Sequence, residues 1–332
     1  HRDLHSFPTR RSSDLTIIVF TEHHPAGLKR LLAALSRGET ESRAQVIVLD
    51  PDGRPERSAA AASHGAEYLV PDPPHRPAAW NQGAARAVSG RLAFTDDDAV
   101  PQSGWLAAFS TVLDGGLVFA GGPDRAPAGA PLFLQSLDYV LTSLLGSGGV
   151  RAGGAGGQAY YPRHWNMAVD RKVLIDAGGF DQTVTESWEQ ELAQRLRRRG
   201  LPVGFAPSAV VSHERETTPV AFVRRNIALA RERARRSGTH LFFALPAVAL
   251  AVVCLSVYAA MIHPPLLWIP LAGAASYGLL LAAAGIHAAT TRRDLRLAAV
   301  VPPLIAAHHL SHATGYVVGL LDRLRPVHPP SG

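Results

Sequence analysis

The sequence predicts an α/β fold with a mostly parallel sheet, followed by an α-helical membrane region. Three observations carry that prediction. Apolar strand-like runs alternate with helical patterns from Thr16 onward. Polar clusters recur where those strands end, the edge at which open parallel sheets bind ligands. Beyond residue 240, long apolar stretches carry no acidic residue, lysine or arginine.

The first strand is expected over 16–21, and 27–35 has apolar residues at helical spacing. A second strand over 45–50 closes on the turn Pro51, Asp52, Gly53, and a third covers 66–70. A helix over 77–88 leads into the strand that begins at Arg91. That strand releases Asp96, Asp97 and Asp98 together before Pro101 forbids further pairing. Three adjacent like charges repel, so a fold that gathers them needs a compensating cation. Carboxylates one residue apart at a strand end can both aim oxygen at a hard ion such as Mg²⁺ or Mn²⁺. Thr21 with Glu22, Asp50 with Asp52, and the three aspartates all fall at strand ends on one sheet edge.

Further on, 131–145 reads as a helix, and 146–157 holds seven glycines in twelve residues, a loop near the site or a plain linker. Asn166 opens a short apolar run, a helix covers 171–177, and Gly178, Gly179, Phe180 and Asp181 follow. The helix over 189–200 has an acidic first turn and a basic last turn, matching its dipole, and ends on Gly200. Short strands over 203–207 and 209–213 finish this part, the second on His213.

Composition narrows the classes. The 332 residues allow one large domain or two modest ones. The formal charge is +6 with only 18% charged residues, which suits nucleic acid, an anionic membrane face or a phosphorylated substrate. A single cysteine, Cys254, excludes an internal disulfide framework and a cysteine-built zinc site. Residues 1–15 show no strand or helix period and no apolar centre. They resemble translated adapter sequence and are set aside, with the native start expected just upstream of Thr16. No G-x-G-x-x-G follows the first strand and no P-loop pattern occurs, so the dinucleotide and P-loop readings lack a phosphate cradle.

The ordered set of strand–helix–strand to Asp50, Asn81 with Gly83 and Gly90, the three aspartates, Asn166, Gly178 to Asp181, the acidic start before Arg195 and Leu196, and Pro207 with His213 resembles a family 2 glycosyltransferase of the GT-A fold, Rossmann-like in its sheet. The resemblance spans roughly 16–213. It implies that Asp96 and Asp98 hold a nucleoside-diphosphate sugar through a divalent metal, Mg²⁺ or Mn²⁺, with His213 as a further ligand. Thr21, Glu22, Asp50, Asp52, Asn81 and Asp97 fall on the nucleotide-sugar side, and Asn166 and Trp188 on the acceptor side. The family's catalytic base is the aspartate of a Glu-Asp pair, which here falls on Trp188 and Glu189. The first acid is replaced and the base is a glutamate, so Glu189 takes the base role, with Glu186 and Glu191 as fallbacks. An inverting outcome is implied by the family.

Residues 218–238 form a basic amphipathic helix suited to an anionic bilayer surface. Stretches 241–262 and 266–289 are each long enough to span. Arginines before the first and after the second place both flanks on the cytoplasmic side. Residues 297–321 are apolar but contain Pro302, Pro303, His308, His309 and His312, and are expected to be re-entrant or interfacial. The histidine cluster invites a metal-site reading, but His308 and His312, at helical spacing, are expected to face neighbouring helices or headgroups. The domain scheme is therefore a 16–217 catalytic domain, the basic helix, a 239–325 membrane region and a short tail. The expected protein is a multi-pass enzyme of the plasma (inner) membrane, its catalytic domain on the cytoplasmic face. It would move a sugar from a nucleoside-diphosphate sugar to a lipid-linked or cell-envelope glycan acceptor, with no nucleic-acid partner. Two other readings compete. One is a catalytically silent nucleotide- or glycan-binding membrane scaffold, raised by Trp188. The other is a nucleotidyltransferase, which would need a basic glycine loop where Glu22, His23, His24 and Pro25 stand.

Overall fold

A computed structural model describes residues 15–22, 25–38, 44–147, 160–184, 187–215, 217–236 and 241–324. The chain divides into two units, residues 1–128 with 150–215 and residues 129–149 with 216–332. Residues 129–149 lie within the catalytic domain of the sequence-based scheme but pack in the second unit. Most of the glycine-rich stretch falls outside the described residues.

The first unit is built on a seven-stranded sheet. Strands β1 (Leu15–Phe20), β2 (Gln45–Leu49), β3 (Glu67–Leu69), β4 (Arg91–Asp96), β6 (Phe119–Gly121), β8 (Asn166–Asp170) and β9 (Val203–Phe205) lie in the order β3-β2-β1-β4-β8-β6-β9. Only β8 runs against the rest, pairing antiparallel with both β4 and β6. Leu15, set aside with the terminal segment by the sequence pattern, belongs to β1: it is buried and pairs with Arg91. All six residues of β1 are buried, as a central parallel strand covered on both faces requires.

Helices α1 (Pro25–Arg37), α2 (Pro55–Ser63) and α4 (Trp105–Asp114) cover one face. There Ile17 and Val19 pack with Leu28, Leu31, Ala60, Trp105 and Phe109. Helix α3 (Arg76–Arg86) covers the other, where a Cβ at Gly83 would stand 3.0 Å from Ile18. The close approach needs a residue without a side chain. Helices α2 and α4 lie in stretches where no element was expected: α2 is half alanine, and α4 is too uniformly apolar to show a period. A second sheet joins β5 (Ala99–Pro101), β10 (Val211–His213) and β7 (Asp124–Arg125) in the order β5-β10-β7. Helices α7 (Arg171–Asp176) and α8 (Trp188–Arg198) complete the unit.

The second unit is helical: α5 (Leu132–Thr142), α6 (Leu144–Ser147), α9 (Pro219–Arg236), α10 (Leu241–Ile262), α11 (Trp268–Arg292) and α12 (Leu297–Leu324). Two helical stretches, Ala244–Ile262 and Pro264–Arg292, are long and apolar enough to cross a membrane, and their most apolar 18-residue windows are almost wholly exposed. Helix α12 is one unbroken helix of 28 residues with Pro302 and Pro303 inside it, so the chain makes no re-entrant reversal there. It packs on α9 at two glycines: a Cβ at Gly315 would meet the Ile227 carbonyl at 2.2 Å, and one at Gly319 the Arg231 carbonyl at 2.3 Å. His308 stacks on Phe222 and His309 bonds Tyr277 and the Leu145 carbonyl, so these two face neighbouring helices, while His312 stacks on Tyr316 of its own helix.

Candidate active site

The carboxyl ends of β1, β2 and β4, the start of β8 and the end of β10 meet at one rim of the first unit. The antiparallel β8 brings its first residue, Asn166, opposite Thr95, so the turn before it lies beside the aspartates.

The three aspartates diverge. Asp96 accepts from Arg76 Nη1 at 2.5 Å, and its other oxygen lies 3.5 Å from His164 Nε2. Asp97 accepts from Thr21 Oγ1 at 2.7 Å and from the Glu22 amide at 3.2 Å, which ties β4 to the end of β1. Asp98 Oδ2 lies 3.1 Å from His213 Nε2. The compensating cation demanded by the sequence is Arg76. It also binds Glu22 at 2.7 Å and sits 4.1 Å over the Phe20 ring.

Two imidazoles each bridge two carboxylates. His213 stands between Asp98 and Asp124, the latter 3.3 Å from Nδ1 and bound also by Arg215. Burial alone would depress this imidazole, and the flanking carboxylates reverse that and raise it. His164 stands between Asp96 and Glu189, with Nδ1 3.5 Å from Glu189 Oε1. The Trp165 ring lies 4.5 Å from one imidazole and 4.8 Å from the other, spacing the two brackets.

Glu189 is only 3% exposed. It lies in the first turn of α8, whose N-cap, Ser187, takes a left-handed φ of 58°. Burial pushes the Glu189 carboxyl up, but the His164 imidazole and Arg163 guanidinium outweigh it and hold the carboxyl below its ordinary value. Its Oε2 is buried with no hydrogen-bond partner. Trp188 is buried against Trp80 and His164, and its indole N–H has no partner either. Of the fallback bases, Glu191 is tied to Arg195 at 2.9 Å, and Glu186 lies outside the described residues.

Three sequence-predicted residues have other roles in this arrangement. Asp50 is fully buried and accepts from Arg57 at 2.7 Å, Tyr68 at 2.6 Å, and the amides of Asp52 and Arg54. These bonds fix the turn after β2, where half-exposed Asp52 pairs with Arg54 at 3.0 Å and Arg57 at 3.2 Å. Asn81 bonds the Phe180 amide and carbonyl, both at 2.8 Å, and a Cβ on Gly179 would strike its side chain. It therefore clamps the Gly178–Gly179 turn, where both φ angles are positive. Asn166 accepts from Trp105 Nε1 at 2.7 Å and donates to the carbonyls of Pro123 and Ala209, joining α4 to the approaches of β7 and β10.

His164, Arg76, Arg57, Arg163 and Asp124 were not singled out from the sequence. The demand for a counter-charge signalled a cation such as Arg76 without locating it. The run Arg163, His164, Trp165 lies in an aperiodic turn that carries no pattern.

The donor set at Asp98 and His213 fits a hard or borderline divalent ion. One carboxylate oxygen and one imidazole nitrogen face each other, and such ions commonly complete their shell with substrate phosphate and water. Among the described residues no three His, Cys, Asp or Glu side chains form a metal-holding group, and Asp96 is turned toward Arg76 and His164 instead.

No known family model matches the chain. It is 27% identical over 225 residues to a pre-mycofactocin glycosyltransferase of Mycobacterium tuberculosis, covering 64% of this chain and 44% of that one. The chain thus spans less than half the length of the curated relatives it matches. Among solved structures, it is similar to a mannosyltransferase from Pyrobaculum calidifontis in complex with GDP-Man and Mn²⁺. The TM-score is 0.54 at 18% identity, over 90% of this chain and 86% of that one. A glucosyl-3-phosphoglycerate synthase from Mycobacterium tuberculosis, in complex with Mn²⁺, UDP and glucosyl-3-phosphoglycerate, gives 0.48 at 17% identity over 68% and 81%. The first unit has the GT-A fold.

Proposed function

We propose that this chain is a membrane-anchored, metal-dependent glycosyltransferase that moves a sugar from a nucleoside-diphosphate sugar to a hydroxyl of a lipid-linked or envelope glycan, with inversion. One observation carries the reading: a facing Asp98–His213 pair and a buried, ionised Glu189 share one rim of a GT-A sheet. The relative named as a glycosyltransferase supports it. Two helices able to cross a bilayer support the anchoring, and the arginines flanking them favour a catalytic domain on the cytoplasmic face.

Asp98 and His213 would hold the metal, which when bound draws charge from the departing diphosphate. Arg76 neutralises Asp96 and Glu22 beside it. Asp97 fixes the end of β1 through Thr21, and Asp52 would lie on the nucleotide side. Glu189 Oε2 accepts the proton of the attacking hydroxyl.

The test is a panel of nucleotide sugars including GDP-mannose, given to membranes holding the full chain with Mg²⁺ or Mn²⁺. Asp98→Ala is expected to lose donor binding, and Glu189→Gln to bind donor without transferring sugar. A silent nucleotide- or glycan-binding scaffold is the second reading, favoured by the lack of a three-ligand metal group among the described residues. Donor binding by the wild-type chain with no turnover across the panel would establish it.

A further inference from the structure

Glu189 has three side-chain torsions and makes no hydrogen bond at one of its two oxygens, so something else must fix where that oxygen points. We propose that His164 is the positioning residue of the base: Nδ1 restrains Oε1 so that Oε2 is presented to the acceptor hydroxyl. The inference rests on the reading of Glu189 as the base.

The two oxygens are unequal. Oε1 lies 3.5 Å from His164 Nδ1, just beyond hydrogen-bond reach, and Nδ1 is itself buried with no hydrogen-bond partner. Oε2 is shut away from water with no partner. An unsatisfied buried oxygen costs free energy, and it is the atom on which an incoming O–H gains most. The imidazole is itself held. Trp165 lies edge-on at 4.5 Å, Trp188 at 5.5 Å and Trp80 at 6.0 Å, so three indoles surround the ring. Its far nitrogen faces Asp96 at 3.5 Å. Arg163 acts on the Glu189 carboxyl through its charge, an influence that does not by itself direct either oxygen. An error of about an ångström in such a group lowers the rate about 100-fold. A flexible glutamate therefore needs a tether, and His164 is a polar side chain that stands against it.

Isosteres separate the two ends of the ring. An amide nitrogen in His164→Asn stands near the place of Nδ1, and in His164→Gln near that of Nε2, while His164→Ala supplies neither. Each full-length variant is assayed with the nucleotide sugar that the wild-type chain consumes in the panel, reading release of nucleoside diphosphate, donor KM and thermal stability. We expect His164→Ala to lower kcat about 100-fold with donor KM unchanged. His164→Asn should recover most of that loss and His164→Gln little of it. Wild-type kcat in His164→Ala would overturn the assignment. So would rescue by Gln equal to that by Asn, which would move the function to the Asp96 contact. A parallel fall of kcat and thermal stability in all three variants would make His164 a packing residue. If the wild-type chain consumes no nucleotide sugar, the glycosyltransferase reading itself fails and takes this inference with it.

Discussion

Asp50 and Glu189 are both buried carboxylates held below their ordinary pKa, yet they sit in opposite circumstances. Asp50 has a guanidinium, a phenol and two backbone amides, so both oxygens are satisfied. Glu189 has one imidazole at 3.5 Å and an oxygen with nothing. In Asp50 the hydrogen bonds reverse the upward push of burial, and the charge is locked into the turn after β2. In Glu189 the reversal comes from the His164 imidazole and the Arg163 guanidinium, and one oxygen is left without a partner. A completed carboxylate is architecture; an incomplete one can take part in a reaction.

The largest expected effect tests the incomplete side. Glu189→Gln should lower transfer by about 10²–10⁴-fold, the range for a general base, with thermal stability unchanged. Parallel loss of stability would put Glu189 with Asp50. Arg57→Ala tests the other side. It strands the Asp50 charge in the interior and should destabilise the chain by about 3–5 kcal/mol, read by denaturant unfolding. Tyr68→Phe removes one bond to the same ionised group and should cost about 1.5–3 kcal/mol in the same assay.

The finest test is the pH profile. Because the Glu189 pKa is lowered, the carboxylate form persists below the ordinary glutamate range, and the acid limb of kcat should lie there too. Arg163→Met removes part of the lowering and should move that limb to higher pH. Asp50 has the matching sign for stability. Its folded pKa lies below the unfolded one, so its contribution is full at neutral pH and is lost as pH falls through the folded value. The raised pKa of His213 works in the other direction on metal. A divalent ion needs the neutral imidazole, so Mn²⁺ affinity measured by titration should rise with pH through that raised value.

Alternation of strands and helices is local, and it was readable: β1, β2, α3 and β4 stand where the apolar periods put them. Motif order was readable too, but the structural partners of the motif residues were not. Asn81 and Asn166 fit the site by order alone, and the fold uses both to join backbone segments. Residue type told that a base would be a carboxylate, and it told nothing of His164, whose neighbours come from β4, α3 and α8. In the helical unit the glycines at 315 and 319 read as part of an apolar run, while their purpose is a close helix crossing.

The chain by itself determined the parallel sheet, the acidic strand end, the candidate base and the apolar helices, because each is a pattern among residues near in sequence. Only the tertiary structure decided which carboxylates are complete and which are open. Satisfaction of a buried charge depends on partners far away in sequence: 115 positions separate His213 from Asp98, and spacing along a chain carries no record of them.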